Sequence, residues 1–228
     1  TGTGGGVGQS IIKSLNLTDY EFIALDGDPL GAGLYATNTS YLIPYCNKSE
    51  YIPTLLDICK KENISLLFPG LDAELLPLSL NKNEFKNIGT TVVVSDPEVI
   101  QISNDKLLMY DKLKSIVNVP YTSQLTRDSL QNNRFMSHFA FPIIIKQKVD
   151  GARSKNVFLI KSQPEWDSII GKMADKEMKN FIVQEYIDGD EYTCGTINFD
   201  DKCQGVIVMR RILRDCDTYK CFSEKNEI

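Results

Sequence analysis

Apolar positions recur at helical spacing at Val7, Ile11, Ile12 and Leu15, and a short apolar run over residues 21–25 follows before Asp26. Steps of three and four put side chains on one helix face, whereas a short run bounded by turn residues reads as a buried strand. The alternation continues. Ile52, Leu55, Leu56 and Cys59 mark a helix over residues 49–63, and residues 64–68 form a second buried strand. After Pro69-Gly70 another helix is expected, and residues 91–95 make a third strand. Strand, helix, strand, helix, strand predicts a parallel, doubly wound α/β layer.

The rhythm changes near Asp96-Pro97, which sets the expected boundary between a Rossmann-like domain over residues 1–97 and a second domain over 98–228. Leu107, Tyr110, Leu113 and Val117 predict an amphipathic helix over 104–117, stopped at Val119-Pro120 because the residue before a proline disfavours helix. A further helix is expected over 128–139. Residues 142–146 then form an apolar strand ending in Lys146, residues 157–160 another strand, and a helix leads to a strand over 181–187. Two alternating runs, 193–199 and 205–213, predict paired antiparallel strands.

With 228 residues and 42% hydrophobic content, the chain is long enough for two cores. A net charge of −5 argues against nucleic-acid or anionic-membrane partners, which need a basic face. No apolar run reaches spanning length, and the N-terminus lacks a signal-peptide pattern, so a cytoplasmic protein is expected. Six cysteines without a C-x-x-C pair or zinc spacing read as reduced thiols. The single histidine, His138, lies near an expected helix end, where packing is the favoured role.

The glycine turn of residues 2–8 enters a helix, and Asp26 comes about 20 residues later, an arrangement that suits dinucleotide binding. A strand is expected ahead of the turn, so the chain is read as starting inside a longer protein. The strict G-x-G-x-x-G spacing fails, but the looser pattern of short-chain dehydrogenases fits, as does Tyr110 with Lys114. An NAD(P) oxidoreductase is therefore one alternative, although it leaves residues 141–213 unexplained. A nucleotide-binding protein without catalysis is another.

Residues 141–191 carry a different constellation. Lys146 closes an apolar strand, where a lysine is not needed for packing; the competing reading is a stem that snorkels to the surface. Gly151, Ala152, Arg153, Ser154 and Lys155 form a short loop before the next strand, and Gln184, Glu185, Tyr186, Ile187 and Glu191 flank an Asp188-Gly189-Asp190 turn. Cation, main-chain donors and an acceptor-only carboxylate together describe a nucleoside triphosphate site. Their bland counterparts are a hairpin turn and exposed hairpin charges.

These residues resemble the ATP-grasp superfamily, specifically its carbamoyl-phosphate-synthase-like carboxylate-amine ligases. The resemblance implies an N-terminal parallel α/β domain, then an ATP-grasp module with a small α+β lid over about 119–185 and a cleft between the two. It places Lys106, of the Asn104-Asp105-Lys106 run, and Lys146 on the ATP phosphates, under a loop containing Gly151 and Ser154. Main-chain groups of Glu185, Tyr186 and Ile187, with Gln184, meet adenine, and Glu191 accepts from the ribose. Arg210 or Arg211 faces the transferred phosphate or acyl phosphate as the catalytic arginine. The segment from Phe68 to Leu75 is similar to the family's Pro-x-x-Asp-x-Glu-Leu stretch, which implies substrate contact for Asp72 and Glu74; both equally suit first-turn compensation of a helix dipole, the favoured reading for Glu74. The loop departs from the pattern in having one glycine. The family's magnesium ligands are not matched by Asp215, Asp217, Glu224 or Glu227, so the resemblance puts Mg2+ ligands beyond residue 228. The resemblance also implies the reaction: a carboxylate is activated as an acyl phosphate for attack by an amine. Small-molecule substrates are expected, with weak nucleotide binding and little turnover by these residues alone. The apolar face left by the absent segment favours a homodimer.

Overall fold

The computed structural model describes residues 1–131, 136–149, 156–199, 202–214 and 217–223. Two compact units divide the chain, residues 1–103 and 104–228.

In the first unit, helix α1 (Gly6–Leu15) follows the glycine turn, and strand β1 (Ile23–Asp26) pairs in parallel with β2 (Thr39–Leu42). Helix α2 (Tyr51–Lys61) leads to β3 (Leu66–Leu67), then α3 (Asp72–Leu80), α4 (Lys82–Asn87), β4 (Thr91–Val92) and α5 (Pro97–Asn104). β3 pairs in parallel with β4, so the parallel layer consists of two separate pairs. The core forms where the helices cover these strands. Tyr51, Leu55, Ile58 and Cys59 repeat along one face of α2 and meet Leu25, Ile43, Leu67, Leu78, Phe85 and Val92. β2 was not legible in the pattern, because Thr39-Ser40-Tyr41-Leu42 is largely polar and its burial alternates only weakly.

The second unit begins with α6 (Lys106–Leu113), which is shorter than the helix expected over 104–117. Asp105 accounts for its start. Its carboxylate accepts the N–H groups of Leu107 and Leu108, capping the helix, while α5 occupies the residues just ahead. A four-stranded antiparallel sheet follows, in the order β5 (Thr122–Gln124), β8 (Phe181–Glu185), β6 (Ile143–Gln147), β7 (Val157–Ile160). The helix expected over 128–139 is instead α7 (Arg127–Gln131) and a 3-10 turn (Met136–His138), with residues between them outside the described set. Helices α8 (Gln163–Lys172) and α9 (Asp175–Met178) cover one sheet face, burying Trp166, Ile170 and Met178 against Leu125, Ile143, Ile145, Ile160 and Val183. Three further antiparallel strands, β9 (Glu191–Phe199), β10 (Lys202–Arg214) and β11 (Asp217–Ser223), form a separate sheet. His138 packs as expected, stacked on Tyr121 with ring centres 5.1 Å apart.

Candidate functional site

β6 alternates. Ile143 and Ile145 are fully buried in the core, which turns Ile144 and Lys146 to the opposite sheet face. The register sets Ile144 against Gln184 and Gln184 against Thr122 on that same face. Lys146 is thus a diagonal neighbour of Gln184, within reach of a long side chain. Its ammonium donates to Gln184 Oε1 at 2.7 Å, and Gln184 Nε2 donates to Thr122 Oγ1 at 2.8 Å. Thr122 in turn donates to the Pro120 carbonyl at 2.9 Å. With its proton committed there, the Thr122 oxygen is left to accept, which fixes the Gln184 amide with its oxygen toward Lys146. Thr122 was not singled out in the sequence, since one threonine in a short strand carries no signal of its own.

Lys106 arrives at this face through α6. Its main-chain N–H donates to the Lys148 carbonyl at 3.0 Å, and Lys148 lies 3.7 Å from the Asp105 carboxylate. Tyr110 of α6 meets Tyr121 edge-on at 6.1 Å, which holds the other end of the helix against the start of β5. Lys106 and Lys146 consequently share a neighbourhood. Burial lowers the Lys146 pKa below the ordinary lysine value, and the positive charge of Lys106 lowers it further. Two ammonium groups brought together and partly desolvated are unfavourable unless an anion joins them.

Glu185 carries bonds at both levels. Its N–H donates to the Tyr121 carbonyl at 2.9 Å, and its carboxylate accepts the Tyr121 N–H at 3.1 Å. Tyr186 and Ile187 leave the end of β8, the position that suits main-chain contact with a planar ligand edge. Further on, Arg211 lies opposite Glu191 in the β9–β10 ladder and pairs with its carboxylate, while Arg210 pairs with Asp190 at 2.8 Å. Adjacent strand residues point to opposite faces, so the two arginines serve different sides of the hairpin. Arg211 is the more enclosed, its side chain 25% exposed against 44% for Arg210. Gly151, Ser154 and Arg153 lie outside the described residues.

In the first unit the glycine turn is held by protein groups. The Gly4 N–H donates to the Asp26 carboxylate, which also accepts the Asp28 N–H at 2.9 Å. The carboxylate that a dinucleotide reading assigns to ribose is here a clasp for the turn. Glu74 is likewise engaged, buried and accepting from the hydroxyls of Thr1 at 2.7 Å and Tyr51 at 2.8 Å and from the N–H groups of Gly70 and Leu71. It ties the loop ahead of α3 to the start of the chain, a larger role than dipole compensation. Among the described residues no cluster of three or more carboxylates, histidines or cysteines is placed to hold a metal. Nor, among them, is any helix long and apolar enough to cross a membrane.

A parallel α/β unit followed by an antiparallel sheet, with two lysines near one another, defines a two-unit α/β protein. The chain belongs to the ATP-grasp family: residues 103–223, more than half its length, match the ATP-grasp domain, and residues 2–93 match the PylC-like N-terminal domain. It is 30% identical over 115 residues to a D-alanine–D-alanine ligase of Petrotoga mobilis, covering 50% of this chain and 36% of that protein. Its fold is similar to N5-carboxyaminoimidazole synthetase from Staphylococcus aureus complexed with ADP (TM-score 0.67, 15% identity), covering 96% of this chain and 55% of the other. It is also similar to the Aspergillus clavatus N5-carboxyaminoimidazole synthase bound to ADP and 5-aminoimidazole ribonucleotide, with TM-score 0.68, 12% identity and coverage of 96% and 53%. The chain therefore spans about a third of the curated relative and just over half of these solved structures. These matches support the ligase reading and give none to the oxidoreductase alternative.

Proposed function

We propose that this chain is the nucleotide-binding part of a cytoplasmic ATP-dependent ligase that activates a small-molecule carboxylate as an acyl phosphate for attack by an amine. The observation that carries the reading is Lys146, half-buried, held by Gln184 and depressed in pKa beside Lys106. A polyphosphate supplies the missing counter-charge. In this reading Lys146 and Lys106 contact the phosphates, with Gly151 and Ser154 closing over them as the loop. Gln184 with the main chain of Glu185, Tyr186 and Ile187 receives adenine; the Glu185 N–H is already committed, so the donor and acceptor come from Tyr186, Ile187 and the Glu185 carbonyl. Glu191 accepts from the ribose, oriented by Arg211, and Arg210 or Arg211 neutralises the transferred phosphoryl group. Phosphoryl transfer asks for positioning and charge neutralisation more than for a protein nucleophile, which suits lysines and carboxylates. Mg2+ is the cation expected to accompany the nucleotide.

Calorimetric titration of the chain with ATP and with NADPH separates the two classes. ATP is expected to bind and NADPH to bind at least tenfold more weakly. Tighter NADPH binding would turn the assignment toward the glycine turn and away from Lys146.

A further inference from the structure

Helix α6, which delivers Lys106, has no buried residue, so it lacks an apolar anchor and the polar bonds at its ends carry its placement. At its N-terminal end those bonds converge on Lys148. The β6–β8 ladder pairs Gln147 with Phe181, and the next step, Lys148 with Asn180, is half made: the Lys148 N–H donates to the Asn180 carbonyl at 2.8 Å. A continuing ladder would return a bond from the Asn180 N–H to the Lys148 carbonyl. Asn180 donates instead to the Glu177 carbonyl at 2.9 Å, and the Lys148 carbonyl accepts the Lys106 N–H at 3.0 Å. The strand ends where the helix begins, and the carbonyl so freed holds the first residue of that helix.

The side chain of Lys148 makes the second half of the clasp. Asp105 divides its carboxylate: Oδ1 accepts the Leu107 N–H at 2.9 Å and the Leu108 N–H at 3.2 Å, while Oδ2 lies 3.7 Å from the Lys148 ammonium. The Met109 N–H donates to the Asp105 carbonyl at 2.9 Å, so every amide of the first turn has an acceptor, and each acceptor belongs to Asp105 or Lys148. Both charged side chains are mostly enclosed, 17% exposed for Asp105 and 26% for Lys148, which leaves their attraction less screened than that of a surface pair.

Asp105 also stands next to Lys106 in the chain. A carboxylate left unpaired there would compete with a phosphate for the Lys106 ammonium and would repel the phosphate itself. Lys148 neutralises that carboxylate without taking it from the cap. We propose that Lys148 is a positioning residue: with its carbonyl on Lys106 and its ammonium on Asp105, it fixes the start of α6 against the end of β6, so that Lys106 stands beside Lys146 with its charge directed to a polyphosphate. The inference rests on the nucleotide site proposed above and adds to it a residue that acts through Asp105 and Lys106, not by touching the ligand.

The test is calorimetric titration with ATP and with adenosine of the full chain, of Lys148→Met and Lys148→Arg, and of Asp105→Asn with and without Lys148→Met. Asparagine caps a helix about as well as aspartate, so Asp105→Asn keeps the cap and removes the charge. Lys148→Met is expected to weaken ATP binding about tenfold and adenosine binding less than about twofold, and Lys148→Arg to restore ATP binding to within about threefold. In the Asp105→Asn chain the same Lys148→Met change is expected to alter ATP binding by less than about twofold, since the two residues act as one unit. Equal weakening in both backgrounds would overturn the proposal, because Lys148 would then meet the phosphates directly. So would parallel loss of ATP and adenosine affinity, the sign of a merely structural role. ATP affinity that falls with Lys146→Met but not with Lys148→Met would overturn this inference alone, whereas ATP affinity indifferent to Lys146→Met would overturn the nucleotide site with it.

Discussion

A lysine ammonium that is partly buried beside a second lysine destabilises its own charged form, and Lys146 is in that situation. The depressed pKa fixes the sign of the linkage between pH and stability. At pH below the lowered folded-state value, both folded and unfolded chains hold the proton, and the cost of burying the charge is fully present. As pH rises from that value toward the ordinary lysine range, the folded chain loses its proton first and the cost is relieved, so stability gains with pH in that window. A bound polyphosphate reverses the shift by favouring the ammonium. ATP binding in the alkaline range is therefore expected to take up protons, seen as a dependence of calorimetric enthalpy on buffer ionisation heat, and Lys146→Met is expected to abolish that dependence. The residue was legible in the sequence because a lysine ending an otherwise apolar strand has no packing purpose. Its supports were not. Thr122 acts through a register that brings β5 against β8, joining residues 62 positions apart, and no local pattern announces such a pairing.

At the scale of elements, helix starts and loop clasps fix where side chains are delivered. Asp105 caps α6 and so sets Lys106 at its first position, which explains why the helix begins later than its apolar spacing suggests. The spacing at 107, 110, 113 and 117 reported one face but not the cap or the earlier stop. Glu74 performs the corresponding task in the first unit, collecting four donors from Thr1, Tyr51, Gly70 and Leu71. Removing it takes the acceptor from these donors, of which the Tyr51 hydroxyl and the Gly70 N–H are buried. Glu74→Ala is expected to destabilise the chain by about 3 kcal/mol in urea unfolding, and Tyr51→Phe by about 1 kcal/mol, since the latter removes one partner and leaves the carboxylate three. Gly33 is constrained by close approach: a Cβ there would meet the Thr3 carbonyl oxygen at 2.2 Å, so the 3-10 turn (Ala32–Tyr35) packs directly on the backbone of the first residues. Neither this contact nor the Asp26 clasp on Gly4 has a sequence signature beyond the residues themselves, and the acid after the glycines read equally well as a ribose acceptor.

At the scale of the whole molecule, the α/β class and the placement of Lys146 near a strand end were readable because they rest on period and spacing, which act locally. The parallel alternation of the first half and the strand-end lysine of the second both survive in the structure. The pairing of β1 with β2 was not readable, because the polar β2 gives no strand signal. Each unit carries its own core, one around Leu55 and the other around Ile145. Leu55→Ala is expected to cost about 2 to 5 kcal/mol and to raise amide exchange throughout residues 1–103, while the amides of β6 and β8 keep their protection. Uniform loss of protection in both units would instead mean that they unfold as one.

The central claim is that Lys146 and Lys106 form the phosphate end of an adenine-nucleotide site. Titrating the chain and its Lys146→Met variant with ATP and with adenosine, in the same buffer, tests it most directly. The proposed site predicts that the variant weakens ATP binding by roughly 2 to 5 kcal/mol, a factor of thirty or more, while adenosine binding changes by less than about twofold, since the proposed adenine contacts are at Tyr186 and Ile187. ATP affinity unaltered by the loss of the Lys146 ammonium would contradict it.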